Sequence, residues 1–110
     1  EDGLHAIEEP AERINEIEEK EYKTITSSYT DLDVNDHVNN VRYLDWAQSL
    51  MPAKFWKERQ VDSVLVNYFN EVHADTSITL SGGVNSNTLR VLGRANDKEM
   101  FKVELHFSKK

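Results

Sequence analysis

Residues 38–51 restrict the fold more than any other stretch. Placed at about 100° per residue, Val41, Tyr43, Leu44, Trp46, Ala47, Leu50 and Met51 spread over most of a helical circumference. Arg42, Asp45, Gln48 and Ser49 share the narrower arc that is left. A helix apolar over so much of its girth is wrapped by its neighbours and not simply laid on a flat surface. Pro52 disfavours helix in the residue before it, so the helix is expected to end there. Residues 53–59 can add another turn or two. Asn39 and Asn40 fall inside the apolar arc, where an unpartnered amide costs about 1–3 kcal/mol, so each must find defined hydrogen bonds.

The wrapping has to come from strands. Residues 20–29 are rich in β-formers and read as one strand. Residues 63–73, 77–84, 88–94 and 100–108 read as four more. Gly82-Gly83, Asn85-Ser86-Asn87 and Asn96-Asp97 are the expected breaks. One strand, a long helix and a four-strand meander make an α+β order with an antiparallel sheet, and that sheet is expected to curl around the helix. With 110 residues, 38% of them hydrophobic and 30% charged, the chain fits one soluble core. No apolar run is long enough to span a membrane.

The net charge of −7 is unevenly placed. Nine acids face only Arg13 and Lys20 in residues 1–21, and the remainder of the chain is balanced. Residues 1–19 therefore read as an acidic linker or N-terminal segment, with Ile14 and Ile17 as apolar points on a short surface helix, and residues 20–110 as a single domain. The first residue is Glu1, as expected for a processed chain or a piece of a longer one. No basic stripe interleaved with aromatics is present, which argues against nucleic acid as a partner. The chain has no cysteine, which excludes disulfides, thiolate metal sites and a cysteine nucleophile, and fits a cytoplasmic setting.

The turn before the helix, Asp31-Leu32-Asp33-Val34-Asn35-Asp36-His37, can be read three ways. A calcium loop needs glycine at its sixth position and an acidic ligand at its twelfth; counted from Asp31 these hold Asp36 and Arg42, so that reading fails. Helix capping by Asp33, Asn35 or Asp36 explains one residue. A catalytic turn explains the cluster, because a carboxylate, an amide and an imidazole at alternate positions can converge at a helix N-terminus. Backbone N–H groups there can stabilise charge developing on a carbonyl oxygen.

The string from Asp31 to Trp46, with Asp33-Val34-Asn35-Asp36-His37-Val38-Asn39-Asn40 at its centre, closely resembles the motif of acyl-ACP thioesterases. It is most similar to their second hotdog domain, in which a long helix is wrapped by an antiparallel sheet. A looser form of the motif occurs in hotdog thioesterases acting on acyl-CoA. Residues 66–76 resemble the family's strand facing the motif, and the resemblance extends over roughly residues 20–108. It implies a hotdog fold and places the catalytic residues on Asp33, Asn35 and His37, with Glu71 on the facing strand. Plant members carry cysteine directly after that acid; Val72 stands here, so the chain looks like the bacterial branch.

The implied reaction is thioester hydrolysis on a fatty acyl group delivered by acyl carrier protein, in fatty acid biosynthesis. Either Asp33 attacks the carbonyl, or a carboxylate with His37 activates water, and Asn35 positions the water or the carbonyl. No metal or organic cofactor is implied. The family carries two hotdog domains in one chain, so a homodimer or a partner hotdog domain is expected. Two other classes compete: a single-domain hotdog acyl-CoA thioesterase, and a non-catalytic acyl-binding or dimerisation module. His73 reads as a polar strand residue on the Glu71 face, and His5 and His106 stand in no constellation. Lys54, Lys57 and Arg59 form a small basic cluster, either a solvated face or a docking patch for the acidic carrier protein.

Overall fold

The computed structural model describes residues 6–7, 14, 16–28 and 40–110. Six strands form one sheet in the order β1-β3-β6-β5-β4-β2. They are β1 (Ala6–Ile7), β2 (Glu21–Thr26), β3 (Arg59–Tyr68), β4 (Ser77–Asn85), β5 (Thr88–Ala95) and β6 (Lys98–Lys109), with helices α1 (Asn40–Gln48) and α2 (Ala53–Lys57) between β2 and β3. All pairings are antiparallel except that of the two-residue β1 with β3. Irregularities at Val61/Ser63 and Gly93/Arg94 bend the long strands.

Period-two alternation gives the sheet two distinct faces. Along β6, Phe101, Val103, Leu105 and Phe107 are buried, and Lys102, Glu104, His106 and Ser108 on the other face are half-buried. The first face holds the core, where Tyr43, Leu44, Trp46 and Ala47 of α1, with Leu50 just past its end, cluster with Val64, Val66, Ile78, Leu80 and the β5–β6 side chains. Val41 departs from the expected wrapping. It is 53% exposed, because the sheet covers one broad side of the helix while Val41 lies toward the Arg42–Asp45 ion pair on the open side.

The helix also ends earlier than Pro52 requires. After Gln48 the backbone tightens, with Leu50 N–H bonding to the Ala47 carbonyl and Met51 N–H to Gln48. The last carbonyls find side-chain donors: Trp56 Nε1 donates to Gln48 at 2.8 Å, the Ser49 hydroxyl to Trp46 at 2.6 Å, and Lys23 Nζ to Ser49 at 3.3 Å. Gly82-Gly83 proves to be no break; both residues lie inside β4. A Cβ on Gly82 would sit 1.9 Å from the Arg90 carbonyl oxygen, so glycine is required by the close approach of β5.

The second face of the sheet is partly covered by the N-terminal segment. Ile14 and Ile17 are buried against Leu65 and Leu92. Ile14 N–H donates to Asn67 Oδ1 at 2.8 Å, and Lys20 N–H to the Gly82 carbonyl at 2.9 Å. Arg94 grips Glu19 through both guanidinium nitrogens, at 2.9 and 3.4 Å. The Arg94 hydrogen bonds hold the Glu19 carboxyl below the usual carboxylate range.

On the same face Arg90 Nε donates to Glu104 Oε1 at 2.8 Å, and His106 Nε2 lies 2.7 Å from Glu104 Oε2. Burial works to raise the Glu104 carboxyl, but the Arg90 and His106 hydrogen bonds outweigh it and hold the group below the usual range. A depressed carboxyl stabilises the fold above the unfolded-state pKa, about 4.3 for glutamate, and that contribution is lost as pH falls through the folded value. Glu104→Gln is therefore expected to flatten the fall in urea-unfolding free energy between about pH 5 and pH 2. An unchanged slope would remove the network from the acid response.

Candidate active site

Glu71 stands on a loop, not on the expected strand. β3 begins at Arg59, four residues before the expected start, and ends at Tyr68. The reason is a change of hydrogen-bond partners. Phe69 and Asn70 both direct their N–H groups at the Met100 carbonyl, at 2.9 and 3.2 Å, and Asn70 Nδ2 donates to the Glu99 carbonyl at 2.8 Å. Two successive donors on one acceptor end a regular ladder. His73 accordingly shares no strand face with Glu71. Both are exposed, and Val72 between them is fully buried.

Ser27 pins the far end of this loop. It is fully buried just past β2. Its N–H donates to the Thr76 carbonyl at 3.0 Å, and its carbonyl accepts from Asp75 N–H at 2.9 Å. Its hydroxyl accepts from Thr76 N–H at 3.0 Å and donates to the His73 carbonyl. These bonds hold Asp75 in the left-handed region at φ 58°. Ser27→Ala leaves buried backbone groups unsatisfied, and is expected to remove about 1–3 kcal/mol. Amide exchange at Asp75 and Thr76 should accelerate more than at the β5–β6 pairs; equal acceleration would show that the hydroxyl has no local role.

Opposite the loop is the β5–β6 turn. Asn96 and Asp97 both have positive φ, 52° and 63°, and Ala95 pairs with Lys98, the geometry of a two-residue hairpin. Between turn and loop lies a cavity of about 540 Å³ whose lining includes Phe69, Asn70, Glu71, His73, Lys98 and Met100. Sequence reasoning passed over Asn70, Asn96 and Lys98, although the Asn-Asp dipeptide already marked the turn.

Tyr43 links the helix to the same region. Its ring packs against Phe101 at 4.7 Å, Tyr68 at 5.3 Å and Trp46 at 5.6 Å between centroids. Burial pushes the Tyr43 phenol up; the Val72 backbone N–H opposes that rise and the Glu71 carboxylate adds to it. The first turns of α1 thus face the Glu71 loop. Asp33, Asn35, His37 and Asn39 lie outside the described residues, as does the side chain of Asn40. In sequence, His37 stands three positions before Asn40, where α1 opens.

Among the described residues no group of His, Asp and Glu could hold a metal ion, and no helix is long and apolar enough to cross a membrane. The basic cluster after α1 resolves into parts. Arg59 donates to the Phe55 carbonyl at 2.8 Å and stacks 4.1 Å from the Phe55 ring, whereas Lys54 and Lys57 are exposed. This cluster adjoins the start of β3, and Glu71 follows its end; a ten-residue strand puts about 30 Å between them.

The family model of the acyl-ACP thioesterase C-terminal domain matches residues 14–109. The chain belongs to that family. This acyl-ACP thioesterase C-terminal domain is 28% identical over 107 residues to acyl-[acyl-carrier-protein] hydrolase FATB1 of Cuphea viscosissima, a match covering 94% of the chain and 25% of that relative. It superposes on the 12:0-ACP thioesterase of Umbellularia californica with a TM-score of 0.76 at 20% identity, covering 93% of this chain and 40% of that one. For an acyl-ACP thioesterase of Bacteroides thetaiotaomicron the TM-score is 0.74 at 22% identity, with 90% and 43% covered. At these identities the structures establish the fold, an α+β hotdog. The chain spans about a quarter of the Cuphea relative and less than half of either structure.

Proposed function

We propose that this domain hydrolyses the thioester of fatty acyl–acyl carrier protein, releasing free fatty acid and carrier protein, as the C-terminal half of a two-hotdog enzyme. The observation that carries the proposal is the family match over residues 14–109, joined to the cavity that Glu71 lines, on a loop whose Val72 is in one core cluster with Tyr43 of the helix that follows the motif. Residues 1–19 are then the connection from the first domain, with Ile14 and Ile17 its anchoring points on the sheet.

In the proposed site Asp33 and Glu71 supply the carboxylates, His37 the proton relay and Asn35 the amide that orients water or the carbonyl. The N–H groups of the first turn of α1 polarise the thioester oxygen. Water adds to the carbonyl carbon, the carbon–sulfur bond breaks, and the departing sulfur takes the proton that the water gave up. In the covalent variant the Asp33 carboxylate displaces the sulfur from the acyl carbon to form an anhydride, the thiol leaving with a proton from His37, and water then cleaves the anhydride to the fatty acid and the Asp33 carboxylate. Single turnover in ¹⁸O-water separates the routes, since only the anhydride route can leave label in the Asp33 carboxylate.

The setting is cytoplasmic fatty acid biosynthesis. The partner is a second copy or a first hotdog domain: β2 lies at the edge of the sheet, its Tyr22 is 65% exposed, and such an edge favours pairing. The deciding experiment follows thiol release from matched acyl carrier protein and acyl-CoA thioesters. Faster turnover on the carrier protein supports the proposal. Preference for acyl-CoA selects the single-domain alternative, and no turnover even with a first domain restored selects a non-catalytic module.

A further inference from the structure

The loop that carries Glu71 hangs on an irregularity in β6. Gly93 pairs with Phe101 and Arg94 with Glu99, so Met100 is the extra residue of a bulge. The Met100 carbonyl accepts the N–H groups of Phe69 and Asn70, and the Glu99 carbonyl accepts Asn70 Nδ2. The near end of the loop is therefore tied to the bulge, and its far end to Ser27. A bulge interrupts the ladder, so its shape depends on the strand beside it.

That strand is gripped at the bulge by the N-terminal segment. Residues 14–20 run over the second face from β3 to β5 to β4. Ile14 N–H donates to Asn67 Oδ1, Glu19 takes both guanidinium nitrogens of Arg94 at 2.9 and 3.4 Å, and Lys20 N–H donates to the Gly82 carbonyl. Because β6 lies between β3 and β5, the segment crosses it. Both side-chain grips fall at the end of the sheet that bears the loop: Asn67 precedes Phe69 by two residues, and Arg94 is the cross-strand partner of Glu99. Ile14 and Ile17, buried against Leu65 and Leu92, keep the segment down. The ion pair, with side chains 40% and 28% exposed, adds little to stability. Its two-point fork fixes orientation as well as distance.

We propose that Glu19 and Arg94 are positioning residues for Glu71. Their ion pair fixes the β5 side of the bulge, the bulge fixes the Glu99 and Met100 carbonyls, and these carbonyls set where the Glu71 loop stands over the cavity. The placement of the segment entering the domain is thereby transmitted to a carboxylate of the site. The task of Glu71 rests on the hydrolase reading above, but the coupling is tested without turnover.

Amide hydrogen exchange in the ¹⁵N-labelled full chain separates the two ends of the loop. Glu19→Gln is expected to speed exchange at Phe69 and Asn70 by about threefold to fivefold, as for one partly exposed ion pair. Asp75 and Thr76, held by Ser27, should keep their wild-type rates. Arg94→Glu should speed Phe69 and Asn70 further, and the reversed pair Glu19→Arg/Arg94→Glu should restore their protection. Unchanged exchange at Phe69 and Asn70, equal acceleration at both ends of the loop, or no restoration by the reversed pair would each overturn the proposal. With an acyl carrier protein thioester, Glu19→Gln should lower kcat by a similar factor and leave KM alone, since neither side chain lines the cavity. A change in KM alone would overturn the positioning role. The expected exchange pattern without any hydrolysis would sink the proposed activity and leave the coupling standing, and hydrolysis without an exchange response would do the reverse.

Discussion

Asp33→Ala is expected to lower hydrolysis of an acyl carrier protein thioester by about 10³-fold, within the range that a positioned acid–base group or nucleophile contributes. The chain has no cysteine to take over, and a serine nucleophile is no part of the proposed site. Glu71→Gln is expected to fall less, by about 10²-fold, because its carboxylate works through the water or through His37. Steady-state thiol release measures both, with the melting temperature as a check on folding. The two carboxylates act as one unit if the double variant loses no more than Asp33→Ala alone, and have separate roles if the two losses multiply. Turnover that survives Asp33→Ala within about tenfold would remove Asp33 from the chemistry and move the main role to Glu71.

Phe101→Ala is expected to cost about 3–5 kcal/mol, a large share of the 5–15 kcal/mol that holds a domain of this kind together. Phe101 is fully buried, packs against Tyr43 at 4.7 Å and Trp46 at 6.2 Å, and pairs across the sheet with Gly93. A Cβ on Gly93 would lie 2.3 Å from the ring. With Tyr43 and Trp46 packed against it the ring has little room to retreat, so Gly93→Ala is expected to cost about 1–3 kcal/mol through overpacking. The penalties share one cause. In Gly93→Ala/Phe101→Leu the smaller side chain makes room for the new methyl, and the loss measured by urea unfolding should fall short of the sum of the single losses. Additive losses would mean that the ring and the glycine act independently. The effect reaches the site, since Met100, next in sequence, anchors the Glu71 loop.

The α+β order and its antiparallel sheet were legible in the chain because their signals are local. The apolar girth of the helix, the period-two alternation of β6 and the turn dipeptide Asn96-Asp97 each act within a few residues. Strand ends were less legible. β3 starts at Arg59 and stops at Tyr68 because the partner strand and Met100 set the ladder, and a partner some thirty positions away leaves no mark on local propensity. Gly82-Gly83 looked like punctuation, and the real cause of Gly82 is the Arg90 backbone pressing on β4.

By itself the sequence determined the elements, their order, and a motif dense enough to carry the family and the candidate residues Asp33, Asn35, His37 and Glu71. The tertiary structure alone decided which residues share the space around Glu71. Asn70 and Lys98 lie 28 positions apart in the chain, yet both line one cavity, because β3 and β6 are antiparallel and bring the end of one beside the start of the other. Tyr43 approaches the Glu71 loop, and Ile14 and Ile17 lie on the sheet's second face. Propensity and periodicity act along the chain, but the groups that bind a substrate are chosen by strand pairing and packing between its distant parts.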